Sequence, residues 1–221
     1  MEYEEARDRM VRHQIQYRGV DDDRLLEAMR NVPREEFVPK RYRRMAYRDG
    51  PIPIGRGQTV SQPYVVALMT LALEIEPGHK VLEVGTGSGY QAAVLAEMGA
   101  EVITIERHDA LADDARQALK KADYDVDVRI GDGSKGLSEE APFDAILVTA
   151  AAPTVPTTFL EQLREGGHLV IPVEERRWRQ RLIRVTRKGD GTFERWELGE
   201  VAFVPLIGEE GWGDDRTSWW G

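Results

Sequence analysis

From Lys80 onward, short apolar runs alternate with helical patterns, and few folds satisfy that rhythm. The runs are "KVLEV" (80–84), "EVITIE" (101–106), "VDVRI" (126–130), "FDAILVTA" (143–150) and "GHLVIPV" (167–173). Between them lie helical stretches at "YQAAVLAEM", at about 109–122 and at about 156–164. Strands buried on both faces read as continuous apolar runs, and strand–helix repetition of this kind builds a parallel, doubly wound sheet with helices on both faces. The end of the chain departs from it. "RLIRVTR", "TFERWELG" and "VAFVPL" follow one another closely, with "KGDG" suited to a hairpin turn between the first two, so antiparallel strands are expected at one edge.

The first part of the chain has another texture. Residues 2–17 place Met10, Val11, Ile15 and Tyr17 at near-helical spacing, with Gly19 as a stop; "DDDRLLEAMRNVP" reads as a second helix with an Asp cap. Residues 34–56 are rich in Pro and Gly and read mostly as loop, before a third helix over 63–75 that opens on Pro63. The expected organisation is a helical and loop lobe over 1–78, supplying the acceptor-side loop. It joins a nucleotide-binding core over 79–221 in one compact unit, and the tail with its two terminal tryptophans folds back on that core.

Composition narrows the function. With 39 acidic against 30 basic residues the net charge is −9, which disfavours a nucleic-acid partner. The chain has no cysteine, so disulfides and thiolate chemistry are excluded. His13, His79, His108 and His168 are scattered without ligand spacing and read as surface or loop residues, so no metal is expected. "MEYEEARDRM" has no apolar run and no stretch is long enough to span a bilayer, so a cytoplasmic protein without membrane attachment is expected. The basic "ERRWRQR" (175–181) reads as a solvated hairpin.

"VLEVGTGSGY" (81–90) is a strand, a loop with Gly85, Gly87 and Gly89, then a helix. A dinucleotide fingerprint would need a glycine at position 90, where Tyr90 stands. Glu83 ahead of the loop would repel a pyrophosphate but tolerate a ligand with an ammonium and a sulfonium, which favours S-adenosylmethionine. Glu106, ending the second strand, suits two ribose hydroxyls. Asp132 in "GDG" (131–133) suits the exocyclic amine of adenine.

"GQTVSQP" (57–63) carries no charge but many hydrogen-bonding groups, just before a helix. With "VPREEFVP", "AYRDGPIPIGRGQTVSQP", "VLEVGTGSGYQAAVLA", "GDGSKG", "APFDAILVTAAAPTVP", "QLREGGHLVIPV" and "FVPLIGEEGW", it makes nearly the whole chain resemble the protein-L-isoaspartate (D-aspartate) O-methyltransferase family. Glu174 stands where that family commonly has Gly. The resemblance implies an α/β, class I Rossmann-like methyltransferase acting on isoaspartyl residues of proteins and peptides, whose methyl ester closes to a succinimide on the way back to Asp. It implies S-adenosyl-L-methionine, with S-adenosyl-L-homocysteine as product; a monomer is expected separately. Ser61 is then the catalytic residue; Thr59, Val60, Ser61, Gln62, Ala150, Ala151 and Ala152 meet substrate. Gln58, Thr59, Val60, Ser61, Glu83, Gly85, Thr86, Gly87, Ser88, Gly89, Tyr90, Glu106, Arg107, Asp132 and Gly133 meet the donor. A carboxylate acceptor is already ionised at neutral pH, so it needs orienting donors and no general base. Ser61 could also cap the helix at Pro63. Two rivals stay open: a carboxyl methyltransferase dedicated to one Asp-containing peptide, and a non-catalytic S-adenosylmethionine-binding module.

Overall fold

In the computed structural model, which describes residues 2–176 and 179–213, seven strands form one sheet in the order β5-β4-β3-β6-β7-β8-β9. These are β3 (Lys80–Val84), β4 (Glu101–Glu106), β5 (Asp127–Ile130), β6 (Phe143–Val148), β7 (Leu163–Arg176), β8 (Arg179–Arg187) and β9 (Phe193–Val201). β3 to β7 run parallel, and β8 and β9 complete the edge antiparallel, with the turn at 188–191 closed by Lys188 N–H donating to the Thr192 carbonyl. β3 lies between β4 and β6, so the chain reverses its direction of winding there, and the loop after β3 opens into the crevice where such sheets bind ligands.

The crossover helices follow from local pattern. α5 (Asp109–Lys121) buries Leu111, Ala112, Ala115 and Leu119 on one face, with Asp109 in its first turn and Lys120 and Lys121 in its last, as the helix dipole favours. α4 (Tyr90–Glu97) is apolar nearly all round and buries Tyr90 through Leu95. α6 (Thr157–Gln162) is shorter than its pattern suggested, because β7 begins at Leu163 rather than Gly167.

The N-terminal lobe comprises α1 (Glu2–Met10), α2 (Asp23–Asn31, capped by Asp22 accepting from Leu25 N–H at 2.8 Å) and α3 (Pro63–Ala72). It shares a core with the sheet: Met10, Val11, Ile15, Leu25 and Met29 join Val94 and Leu95 in one apolar cluster. Tyr17, read at near-helical spacing with Met10, Val11 and Ile15, is 74% exposed, because the chain passes through a π-helical segment at Val11–Ile15 and a 3-10 turn over Gln16–Arg18 before Gly19. The stretch 34–56 is more ordered than its Pro and Gly content suggested: two 3-10 turns precede β1 (Ile52–Gly55), which pairs antiparallel with β2 (Gln58–Val60). "GQTVSQP" therefore begins as a strand.

Two further expectations change. "VAFVPL" is not a third antiparallel strand: β9 ends at Val201, and the chain then runs beside Ala151, which donates to the Val204 carbonyl and accepts from Leu206 N–H. His168 is no surface residue: it is half-buried on β7, its Nε2 3.3 Å from Glu74, with burial and the neighbouring Arg184 holding its pKa down. The tail after Gly213, and its expected docking, lie outside the described residues.

Candidate active site

A cleft of about 780 Å³ opens over the C-terminal ends of β3, β4 and β6, within the range of small-molecule sites. The β1–β2 hairpin walls one side and the segment 200–207 the other. Of the residues expected at a site, Gln58, Thr59, Ser61, Gln62, Gly85, Gly87, Glu106, Arg107, Gly133 and Ala150 line it. Residues more than ninety positions apart meet there because the parallel sheet puts all its strand ends on one edge.

The floor needs glycine. Gly85 has φ +97°, and a Cβ there would run into Thr149 Oγ1, which donates to the Gly85 carbonyl at 2.7 Å. Gly133 sits so close to β3 that a Cβ would stand 2.7 Å from Val84 Cγ1. Glu106 is 5% exposed, and its carboxylate is spread across the loop: Oε2 accepts from Gly87 N–H at 2.9 Å and Oε1 from His108 N–H at 3.0 Å. Each oxygen keeps a second lone pair. A cradle open to backbone approach, beside a carboxylate with free acceptor positions, fits an adenosyl group with its ribose diol.

Beneath the floor the picture differs from expectation. Glu83 does not line the cleft; it is fully buried, accepting from Thr104 Oγ1 at 2.6 Å, and Thr104 in turn bonds Thr86 Oγ1 at 2.7 Å. Burial pushes its carboxyl up to about 8, the Thr104 bond opposes this and the nearby Glu106 adds to it. Glu83 is therefore mainly neutral at pH 7 without a ligand, and the like-charge argument against a pyrophosphate does not apply to it as stated. Its Oε1 is buried without a hydrogen-bond partner among the described residues. Tyr90 is also buried, its ring under the Arg34 guanidinium rather than in the cleft. Gly89 is the left-handed residue before α4, packed against Leu119 of α5. Ser88 Oγ accepts from Tyr90 N–H at 3.3 Å, a local turn contact.

On the acceptor side, Thr59 is exposed on β2, Ser61 is half-buried in the link to α3, and both border the cleft. Val60 faces the core, 4% exposed opposite Ile52. Ser61 is not the cap of α3: that position belongs to Gln62, which makes no side-chain cap and donates instead to Asp49 at 2.7 Å. Ala151 and Ala152 do not reach the cleft. Both are fully buried, Ala151 bonded to the 204–206 backbone and Ala152 to Pro172 and Glu174, so their small side chains permit close strand packing. Asp132 lines a smaller cavity of about 400 Å³ that shares Arg107 and Ile207 with the main cleft. Its Oδ1 accepts from Ser134 N–H and Oγ–H and its Oδ2 from Glu209 N–H. One acceptor position is left on Oδ2 for an amine.

Sequence reasoning missed Thr149, His108 and the wall at 201–207, all of which line the cleft. Thr149 directly follows β6 and was legible as a strand-end residue; His108 stands two places after Glu106. The wall carried no signal of its own, because it is apolar and reads as a strand.

The chain is similar to members of one family over most of its length. The model of the protein-L-isoaspartate(D-aspartate) O-methyltransferase family matches residues 5–211. The chain is 53% identical over 210 residues to the protein-L-isoaspartate O-methyltransferase of Pelotomaculum thermopropionicum, covering 95% of this chain and 91% of the relative. It is 54% identical over 220 residues to that of Methanopyrus kandleri, covering 97% of each. Among solved structures, a Plasmodium falciparum beta-aspartate methyltransferase in complex with S-adenosyl-L-homocysteine superposes with a TM-score of 0.80 at 29% identity, covering 91% of this chain and 98% of that one.

Proposed function

The chain belongs to the protein-L-isoaspartate(D-aspartate) O-methyltransferase family, and from that premise we propose how its cleft performs the reaction. The enzyme transfers the methyl group of S-adenosylmethionine to the free carboxylate of isoaspartyl residues, the step that commits a damaged site to repair through a succinimide. When bound, S-adenosylmethionine supplies an electrophilic methyl on a sulfonium and leaves as S-adenosylhomocysteine.

The chain's own residues bind, orient and exclude water. Glu106 takes the ribose hydroxyls on its free lone pairs, Asp132 takes the adenine amine, and Gly85, Gly87 and Gly133 admit the adenosyl group without a Cβ in the way. Glu83, buried beneath, braces the glycine loop from below through Thr104 and Thr86. Thr59 and Ser61 donate hydroxyl hydrogen bonds to the acceptor carboxylate and hold one oxygen toward the methyl. A carboxylate with an ordinary pKa is already a nucleophile at neutral pH, so the site needs no proton acceptor. Uncharged donors suit the task, since a cation against the carboxylate would also repel the sulfonium. The segment 202–206 closes the far side, and its apolar residues keep the reacting pair dry.

The observation that carries this reading is the meeting of Thr59 and Ser61 with Glu106 and the glycine loop in one cleft. The reading includes a monomer in the cytoplasm acting on proteins and peptides without nucleic acid, the last supported by the −9 net charge. Radiolabelled methyl transfer to a peptide containing L-isoaspartate, beside the same peptide with normal Asp, tests it. Incorporation specific to the isoaspartyl peptide is expected; equal labelling of both would overturn it.

A further inference from the structure

Arg34 is completely buried, and among the described residues no carboxylate pairs with it. Its Nε–H donates to the Ala46 carbonyl at 2.8 Å and an Nη2–H to the Ser61 carbonyl at 2.6 Å. The face of the guanidinium lies 4.6 Å from the centre of the Tyr90 ring. Burying a cation without a counter-charge is costly, and a hydrophobic residue of similar volume commonly serves a core better. What a hydrophobe could not do is join three separate segments. Ala46 begins the stretch leading to the hairpin, Ser61 stands in the link to α3, and Tyr90 opens α4 immediately after the glycine loop.

Resting on the methyl-transfer reading above, we propose that Arg34 is a positioning residue that sets the acceptor loop against the glycine loop. Methyl transfer requires the carboxylate oxygen, the methyl carbon and the sulfur in line, so the separation of the two loops decides the rate. Arg34 is one rigid group in contact with the acceptor loop and with Tyr90, the first residue after the glycine loop. Its planar fork reaches two carbonyls at once while its face stacks on an aromatic ring, which a lysine cannot reproduce. The neighbouring residues tie the same stretch to the lobe. Tyr47 Oη–H donates to Glu35, Gln14 donates to the Tyr47 carbonyl at 2.8 Å, and Arg18 pairs with Asp49. The N-terminal lobe thus frames the reaction as well as covering the sheet.

Arg34→Lys keeps the charge but loses the second carbonyl and the stack, and Tyr90→Leu removes the stack from the other side. Each variant is assayed well below its melting temperature for isoaspartyl-peptide kinetics, for S-adenosylhomocysteine affinity by calorimetry, and for amide exchange over 59–62. Displaced reactants cost heavily, so kcat is expected to fall at least about tenfold in both. S-adenosylhomocysteine affinity should stay within about threefold, since truncating groups outside its pocket removes no direct hydrogen bond. Amides over 59–62 should exchange faster. If Arg34→Lys does not fold, Tyr90→Leu carries the test. Lowered melting temperatures with normal kcat and normal exchange would overturn the proposal, as would parallel loss of donor affinity and kcat. A native enzyme inactive on the isoaspartyl peptide would instead sink the functional reading, and normal native activity with normal variants sinks the positioning role alone.

Discussion

The Gly87 amide donates to Glu106 Oε2 at 2.9 Å, so the carboxylate proposed to take the ribose also holds the glycine loop in shape. Removing it does two things at once. Glu106→Ala is expected to weaken S-adenosylhomocysteine binding by about 1–3 kcal/mol, the range for leaving polar partners unpaired. Glu106→Gln, whose amide oxygen can still accept from Gly87, should lose less. Calorimetry that finds both variants binding like the native chain removes Glu106 from the donor site.

Ser61 should matter for rate and not for stability. Gln62 occupies the cap position of α3, so Ser61→Ala forfeits no cap. A tenfold or greater fall in kcat/KM, about 1.4 kcal/mol, is expected. Donor affinity should change little, because Glu106 and the loop remain. The unfolding free energy should move by less than the ~1 kcal/mol of a lost cap. Unchanged kinetics would pass the orienting role to Thr59 or to backbone amides.

Gly85→Ala places a Cβ against Thr149 Oγ1 at a backbone φ of +97°. Strain and the displaced Thr149 bonds to the Val84 and Gly85 carbonyls should together cost roughly 1–3 kcal/mol. A second change, Thr149→Ala, should relieve part of it. Denaturant melts of the two singles and the double test this: strictly additive losses would mean the two side chains do not meet.

Glu83 predicts a pH dependence. Burial raises its folded pKa to about 8, against 4.5 for an ordinary glutamate. The folded state therefore keeps a proton that the unfolded chain gives up. Stability from this group is present in full below about pH 4.5 and is lost progressively as pH rises to about 8. Glu83→Gln, which can still accept from Thr104, should flatten that fall and be the more stable form above pH 8, by on the order of a few kcal/mol. Urea melts of both chains across the range check it, and parallel curves would refute the buried, neutral acid.

The elements most legible in the sequence were those whose signal is local. β3, β4 and β6 are apolar runs within a residue or two of their expected bounds, since a strand buried on both faces must be apolar along its length. Glu106 and Gly85 were legible for a related reason: a residue at the C-terminal end of a parallel strand lies at the ligand edge whatever else the chain does. Ala151 and Ala152 misled because a small residue at a strand end is equally suited to admitting a ligand and to packing another strand. Arg34 passed unnoticed within "VPREEFVP", where an arginine among glutamates reads as a solvated surface.

By itself, then, the sequence determined the parallel sheet, the glycine loop after β3, the family and the set of groups available for the chemistry. Those depend on apolar periodicity, backbone freedom and side-chain type, which are written within a few residues of one another. The tertiary structure alone decided which groups face the cleft and in what state. It turned Val60 and Tyr90 inward, brought 201–207 across as a wall, and closed Glu83 away from water, which pushes its pKa up. It also carried Arg34 from a turn in the N-terminal lobe to the carbonyl of Ser61. Each of these outcomes depends on desolvation and contact between segments far apart in the chain, and such energies arise only when the segments have packed.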